Sequence, residues 1–144
     1  DPPTPADFTR LRVAAEEALV AFPRPQPPLD ALIAVGGTAT ALGRIVGSPD
    51  GVTAADLQRG ADILATAPAA QLARTVNTDP ARIRLVVGGV AAWQAILARV
   101  GATTMAVSAN GVREGAIIAW AHAGDDWRSY TQAAVAGITP PASK

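Results

Sequence analysis

Leu32-Ile33-Ala34-Val35-Gly36-Gly37-Thr38-Ala39-Thr40-Ala41-Leu42 is the stretch on which the architecture turns. Its first four residues are apolar without interruption, the pattern of a short strand buried on both faces. Gly36-Gly37 makes a tight exit, and Thr38 is placed to cap a helix that begins at Ala39. Strand, glycine turn and helix start in succession form a natural anion cradle. Glycine has no Cβ, so an oxyanion can approach the main chain, and the first amides of a helix lack internal acceptors. The stretch matches neither G-x-x-x-x-G-K-[ST] nor G-x-G-x-x-G, and no lysine is near it. On the residues alone, the glycine pair serves equally well to fold the helix back onto the strand.

Composition narrows the function classes. A chain of 144 residues suits a single domain with a real core. Twelve basic and twelve acidic residues cancel, and no basic run occurs, which argues against broad nucleic-acid binding. The absence of cysteine excludes disulfides, zinc-thiolate sites and thiol catalysis, and fits a reducing compartment such as the cytoplasm. No apolar run approaches the roughly 20 residues of a membrane span. The start, Asp1-Pro2-Pro3-Thr4-Pro5, reads neither as a signal peptide nor as the beginning of a complete polypeptide. Few aromatics and many alanines favour helices packed closely through small side chains.

Outward from the central stretch, helices dominate. Thr4, Pro5 and Asp7 open one whose apolar face is Phe8, Leu11, Ala15, Leu19 and Phe22. Pro23 ends it, and residues 23–28 read as a stiff connector to a strand at about 31–35. After a turn at residues 47–51, Thr53-Ala54-Ala55-Asp56 repeats the capping pattern for a helix carrying Leu57, Ala61 and Leu64. Pro68 interrupts that helix and a short one follows. Asp79-Pro80 caps a longer helical unit with an irregular start around Gly88-Gly89, which Gly101 stops. Residues 103–108 are a second strand, rich in β-branched side chains. Asn110-Gly111 turns the chain into a helix to about His122, Gly124-Asp125-Asp126 breaks it, and a last short helix precedes a loose tail at residues 137–144. The expectation is a helix-rich α/β chain, one incomplete domain over 1–144, with two parallel strands and helices between them. Two strands do not make a complete doubly wound sheet, so further polypeptide or another subunit should join their edges.

Four segments in order resemble the exopolyphosphatase/guanosine-pentaphosphate phosphohydrolase family of the actin-like ATPase superfamily. They are Asp1-Pro2-Pro3-Thr4-Pro5, Ala34-Val35-Gly36-Gly37-Thr38-Ala39-Thr40-Ala41-Leu42, Gly88-Gly89-Val90-Ala91, and Val107-Ser108-Ala109-Asn110-Gly111-Val112-Arg113-Glu114-Gly115. The resemblance covers roughly residues 1–120. It implies an RNase H-like fold of which this chain is the C-terminal part of the second half. An Asp-x-Gly-Gly-Gly-Ser-type phosphate loop and a water-activating glutamate would then precede Asp1. It further implies release of terminal phosphate from inorganic polyphosphate or guanosine pentaphosphate with Mg²⁺, no catalytic residue in this segment, and a cytoplasmic setting. Partners would be the preceding polypeptide, a second copy, and polyphosphate or guanosine penta- and tetraphosphate, with no nucleic acid and no membrane. One departure stands out. Arg82-Ile83-Arg84 replaces the family's Arg-x-Asp, which keeps open a non-catalytic nucleotide-, alarmone-binding or dimerisation module.

The candidate phosphate-binding residues are Gly36, Gly37 and Thr38. Ser108, Arg113 and Glu114 are candidates for the cleft, set against a structural reading in which Asn110 caps the last long helix while Arg113 and Glu114 pair with neighbours. His122 lacks a nucleophile or metal partner nearby and reads as structural or solvent-exposed. Asp125-Asp126 reads as a solvated turn rather than a metal site, and Trp93 and Trp120 read as core.

Overall fold

A computed structural model describes residues 1–24, 29 and 31–136. The expected tail at 137–144 and most of the connector at 23–28 lie outside the described residues. The chain divides into two compact units, Asp1–Ala109 and Asn110–Lys144.

The first unit begins with α1 (Pro5–Leu19). Thr4 Oγ1 accepts from the Asp7 amide at 3.2 Å and the Asp7 carboxylate accepts from the Thr4 amide at 2.7 Å, a reciprocal cap that satisfies two orphan donors. The helix stops before Phe22, which is 63% exposed, so the apolar face is shorter than the spacing suggests. Phe8 is its residue packed on the core. Next come β1 (Ile33–Val35) and α2 (Gly37–Val46), then β2 (Gly51–Thr53). Thr53 ends β2 and at once caps α3 (Ala54–Thr66), exchanging bonds with Asp56 at 3.1 and 2.9 Å. α4 (Ala69–Thr75) follows Pro68, and α5 (Pro80–Val100) follows Asp79, whose Oδ1 accepts from the Ala81 amide at 2.7 Å. Gly101, at φ 70°, ends α5 in the left-handed region, where glycine carries no Cβ penalty. β3 (Thr104–Ser108) closes the unit.

The sheet order is β1-β3-β2. β1 and β3 run parallel with Ile33 opposite Ala106 and Val35 opposite Ser108, as the two-strand expectation requires. β2 is the addition: Val52 lies opposite Met105 in an antiparallel pair. Three residues are too few to display an alternating pattern, and Gly51 and Thr53 each carry another local signal, turn and cap. β1 departs from the expected two-sided burial. Ala34 is buried, but Ile33 and Val35 are 57% and 53% exposed.

Gly88 and Gly89 lie inside the continuous α5, not before a helix, which corrects the irregular start. The helix is the hub of the unit and touches α1, α2, α3 and α4. Its 21 residues are long and apolar enough to cross a membrane by composition, contrary to the reading of short apolar runs. Its buried Ile83, Val86, Val90 and Leu97 belong instead to the cluster formed with Leu42, Leu57 and Leu64, the position of a core helix. Two glycines allow the close approach. A Cβ on Gly60 would lie 2.7 Å from Leu42 Cδ1, and one on Gly89 would lie 2.6 Å from Thr38 Cγ2. Arg59 ties α3 to α2 by donating to the Val46 carbonyl at 2.6 Å, while pairing with Asp56 at 2.6 Å. Arg84 pairs with Asp1 at 3.5 Å, and Asp1 also accepts from the Ala69 amide at 3.0 Å. The start of the chain is thereby fixed to α4 and α5.

The second unit contains α6 (Val112–Ala123), a 3-10 turn at Gly124–Asp126 and α7 (Trp127–Val135). His122 stacks on Tyr130 with centroids 5.6 Å apart, and Arg128 lies 4.6 Å over the Trp127 ring. Trp120, expected in a core, is 60% exposed, whereas Trp93 of α5 packs against the first unit's core.

Candidate functional site

The parallel pairing of β1 and β3 brings their carboxyl ends together, and open α/β sheets place their ligand sites there. Val35, opposite Ser108, leads straight into Gly36 at φ 97°, a conformation that L side chains rarely adopt. Nothing lies within 4 Å of the space a Cβ on Gly36 would take, so the turn is open on that side. Gly36 is also the N-cap of α2. This corrects the expectation that Thr38 caps a helix beginning at Ala39: the helix begins at Gly37 and Thr38 is already its second residue. The Gly36 carbonyl accepts from the Thr40 amide at 3.1 Å and from Thr40 Oγ1 at 2.9 Å. No side chain caps the helix. The amides of Gly37, Thr38 and Ala39 therefore stand at an uncapped positive helix end.

The space beside Gly37 is filled by a charge. A Cβ there would lie 1.9 Å from Nη1 and 2.9 Å from Cζ of Arg82. Arg82 stands in the first turn of α5, where the Asp79-Pro80 cap sets the helix start. It forms no ion pair among the described residues. A guanidinium beside the positive end of a helix, without a carboxylate, is an arrangement that an anion stabilises. Sequence reasoning quoted Arg82 within the Arg82-Ile83-Arg84 run but gave it no role. The local signal places it on the first turn of a helix and says nothing of the helix it meets.

The other sequence candidates fall as follows. Ser108 ends β3 in the first unit, one strand from the Gly36 turn. Arg113 and Glu114 open α6 in the second unit. The Glu114 carboxylate accepts from the Gly111 amide at 2.7 Å, and that bond, followed by the Arg113 charge, holds its pKa below the usual carboxylate range. Gly111, not Asn110, occupies the cap position. Asp125 and Asp126 form the 3-10 turn. Among the described residues no three His, Asp or Glu side chains converge, so they offer no ligand set for the Mg²⁺ that the resemblance implies. A hollow of about 390 Å³ among Leu11, Leu64, Leu72, Ile83 and Leu85 is larger than any space at the turn, but it is apolar. Asp1 and Arg84, on its rim, are already paired.

No protein-family model matches the sequence, and no curated protein does. Solved structures do. The chain is similar to a Ppx/GppA enzyme of Aquifex aeolicus with a TM-score of 0.69 and 20% identity, over 82% of this chain and 42% of that one. A second structure described as the Aquifex aeolicus member of the Ppx/GppA family gives a TM-score of 0.70 at 20% identity, over 84% and 42%. A structure described as the type II variant of the Aquifex aeolicus Ppx/GppA phosphatase gives 0.62 at 20% identity, over 82% and 42%. This chain therefore has the fold of part of a Ppx/GppA phosphatase, spanning 42% of the length of the Aquifex proteins it matches.

Proposed function

We propose that this chain forms one wall of the phosphate-binding cleft of a cytoplasmic phosphoanhydride hydrolase, as the C-terminal part of the second of two actin-like halves. The observation that carries the reading is the Arg82 guanidinium laid against Gly37 at the uncapped start of α2. A phosphoryl group between them would accept from the helix amides and from the guanidinium together. Donors fixed in this way stabilise the charge that develops on phosphate oxygens as a terminal phosphorus is attacked by water. In this reading the chain binds and orients, while the water-activating glutamate and the Mg²⁺ ligands belong to preceding polypeptide. The substrate is inorganic polyphosphate or guanosine pentaphosphate.

A second reading, a non-catalytic nucleotide- or alarmone-binding module, draws on Arg84. It stands where the resemblance has an aspartate, and it is engaged with Asp1. Two measurements separate the readings. Tripolyphosphate titrated into the isotope-labelled chain should shift the amide resonances of Gly37, Thr38 and Ala39. Phosphate release from polyphosphate should then appear when the preceding polypeptide is joined to this chain. Binding without release would favour the module; unshifted amides at millimolar tripolyphosphate would overturn both.

A further inference from the structure

The flank of α2 carries a second cationic feature beyond the Gly37 turn. Gly37, Thr40 and Arg44 lie one above another on successive turns of the helix and line one side of a hollow of about 120 Å³. Thr78, in the link between α4 and α5, and Arg82 line the other side. Neither arginine forms an ion pair among the described residues. Two guanidiniums that face one small space without a carboxylate repel each other, and the repulsion adds to that between Arg82 and the start of α2. The hollow is large enough for one phosphoryl group, and hydroxyl and guanidinium groups dominate its polar lining.

We infer that Arg44, Thr78 and Arg82 form a second phosphoryl subsite that continues the one at Gly37 along the flank of α2. The inference rests on the phosphate-cleft reading and deepens it. The ligand class is a condensed phosphate with at least two linked phosphoryl groups. Arg82 stands between the two positions, against Gly37 on one side and on the wall of the hollow on the other. Arg44 supplies the charge at the far end. Seven residues separate Gly37 from Arg44, about 10 Å of helix rise, which the arginine side chain shortens by reaching back toward the start of the helix. An orthophosphate ion fills one position only. A pyrophosphate or longer chain spans both and should bind more tightly.

The test uses orthophosphate and inorganic pyrophosphate, titrated into the full chain and into the exposed-site variants Arg44→Gln and Thr78→Val, with calorimetry and amide shifts as readouts. Pyrophosphate is expected to bind more tightly than orthophosphate. Arg44→Gln should weaken pyrophosphate about tenfold, the order expected for one charge-assisted contact, and leave orthophosphate within about twofold. Thr78→Val should act in the same direction with a smaller loss. Equal loss for both anions in Arg44→Gln, or no loss for pyrophosphate, overturns the second subsite. If the Gly37 amide still shifts in that case, the cleft reading survives alone. A Gly37 amide unmoved by either anion removes both.

Discussion

Thr38 rests its Cγ2 methyl on Gly89: a Cβ at residue 89 would stand 2.6 Å from that methyl and 3.3 Å from the Trp93 ring. This contact sets how near the start of α2 comes to α5, and through it where the Gly37 amide meets Arg82. Gly88, its neighbour in the same helix, has nothing within 4 Å of its Cβ position. The two glycines therefore predict opposite outcomes. Gly88→Ala should stabilise the chain by about 0.5–1 kcal/mol through helix propensity. Gly89→Ala should destabilise it by about 1–3 kcal/mol through overpacking. Thr38→Ser, which removes the methyl, should recover part of the second loss. Urea denaturation of the single and double variants decides it, and equal effects at both glycines would contradict the packing account.

Gly37→Val should displace the Arg82 guanidinium. The group it strikes is the far end of a flexible side chain, so the helix can persist. The expected result is an unchanged far-ultraviolet dichroism spectrum with tripolyphosphate affinity lowered about tenfold. Arg82→Gln should match it. A folded Gly37→Val chain that binds as tightly as the original would detach Arg82 from anion recognition.

Acid stability should follow the capping carboxylates. Asp56 is held below the usual carboxylate range first by the Thr53 amide, then by its hydroxyl, with a further contribution from the Arg59 charge. Asp7 is lowered first by the Thr4 hydroxyl and then by the Thr4 amide. A carboxyl with a depressed folded-state pKa binds a proton more readily when the chain is unfolded. Its contribution is present above the unfolded-state pKa and is lost as pH falls through the folded-state value. Stability should therefore be flat from neutral pH to about 5 and fall below about 4. Thr53→Ala should cost about 1 kcal/mol at neutral pH and make the acid limb shallower. A limb of unchanged slope in that variant would assign the acid sensitivity elsewhere.

The exposed side chains of β1 predict association. Ile33 and Val35 present one apolar face of a strand at the edge of the sheet. Light scattering should find assemblies of the chain whose mass falls when both residues are changed to lysine. A monomer at all concentrations before the change would place no demand on that face.

Side chain-to-main chain chemistry within a few residues was legible in the sequence. The caps at Thr4, Thr53 and Asp79 and the stop at Gly101 follow from bonds that each residue makes to its own neighbourhood. The parallel pairing of residues 33–35 with 106–108 and the strand-to-helix turn at Gly36 were legible for a related reason: apolar runs with glycine breaks leave few alternatives. Arg82 was not, because its contact joins elements far apart in the chain and depends on how α2 crosses α5. Gly88-Gly89 misled the reading, since a glycine pair signals a break unless a neighbouring helix needs the room. Trp120 misled it in the opposite sense, as an apolar position on a helix whose exposed side chains include Ile117 and Ile118.

With α5 touching four other helices, no helix of the first unit can detach without baring part of that shared surface. The unit should consequently lose its order in a single cooperative step. The amides of Val86, Val90 and Ala91, whose side chains are wholly buried, should be the last to exchange with deuterium, at the free energy of global opening. The turn at Gly36 hangs from this same frame, so its readiness for an anion is a property inherited from α5.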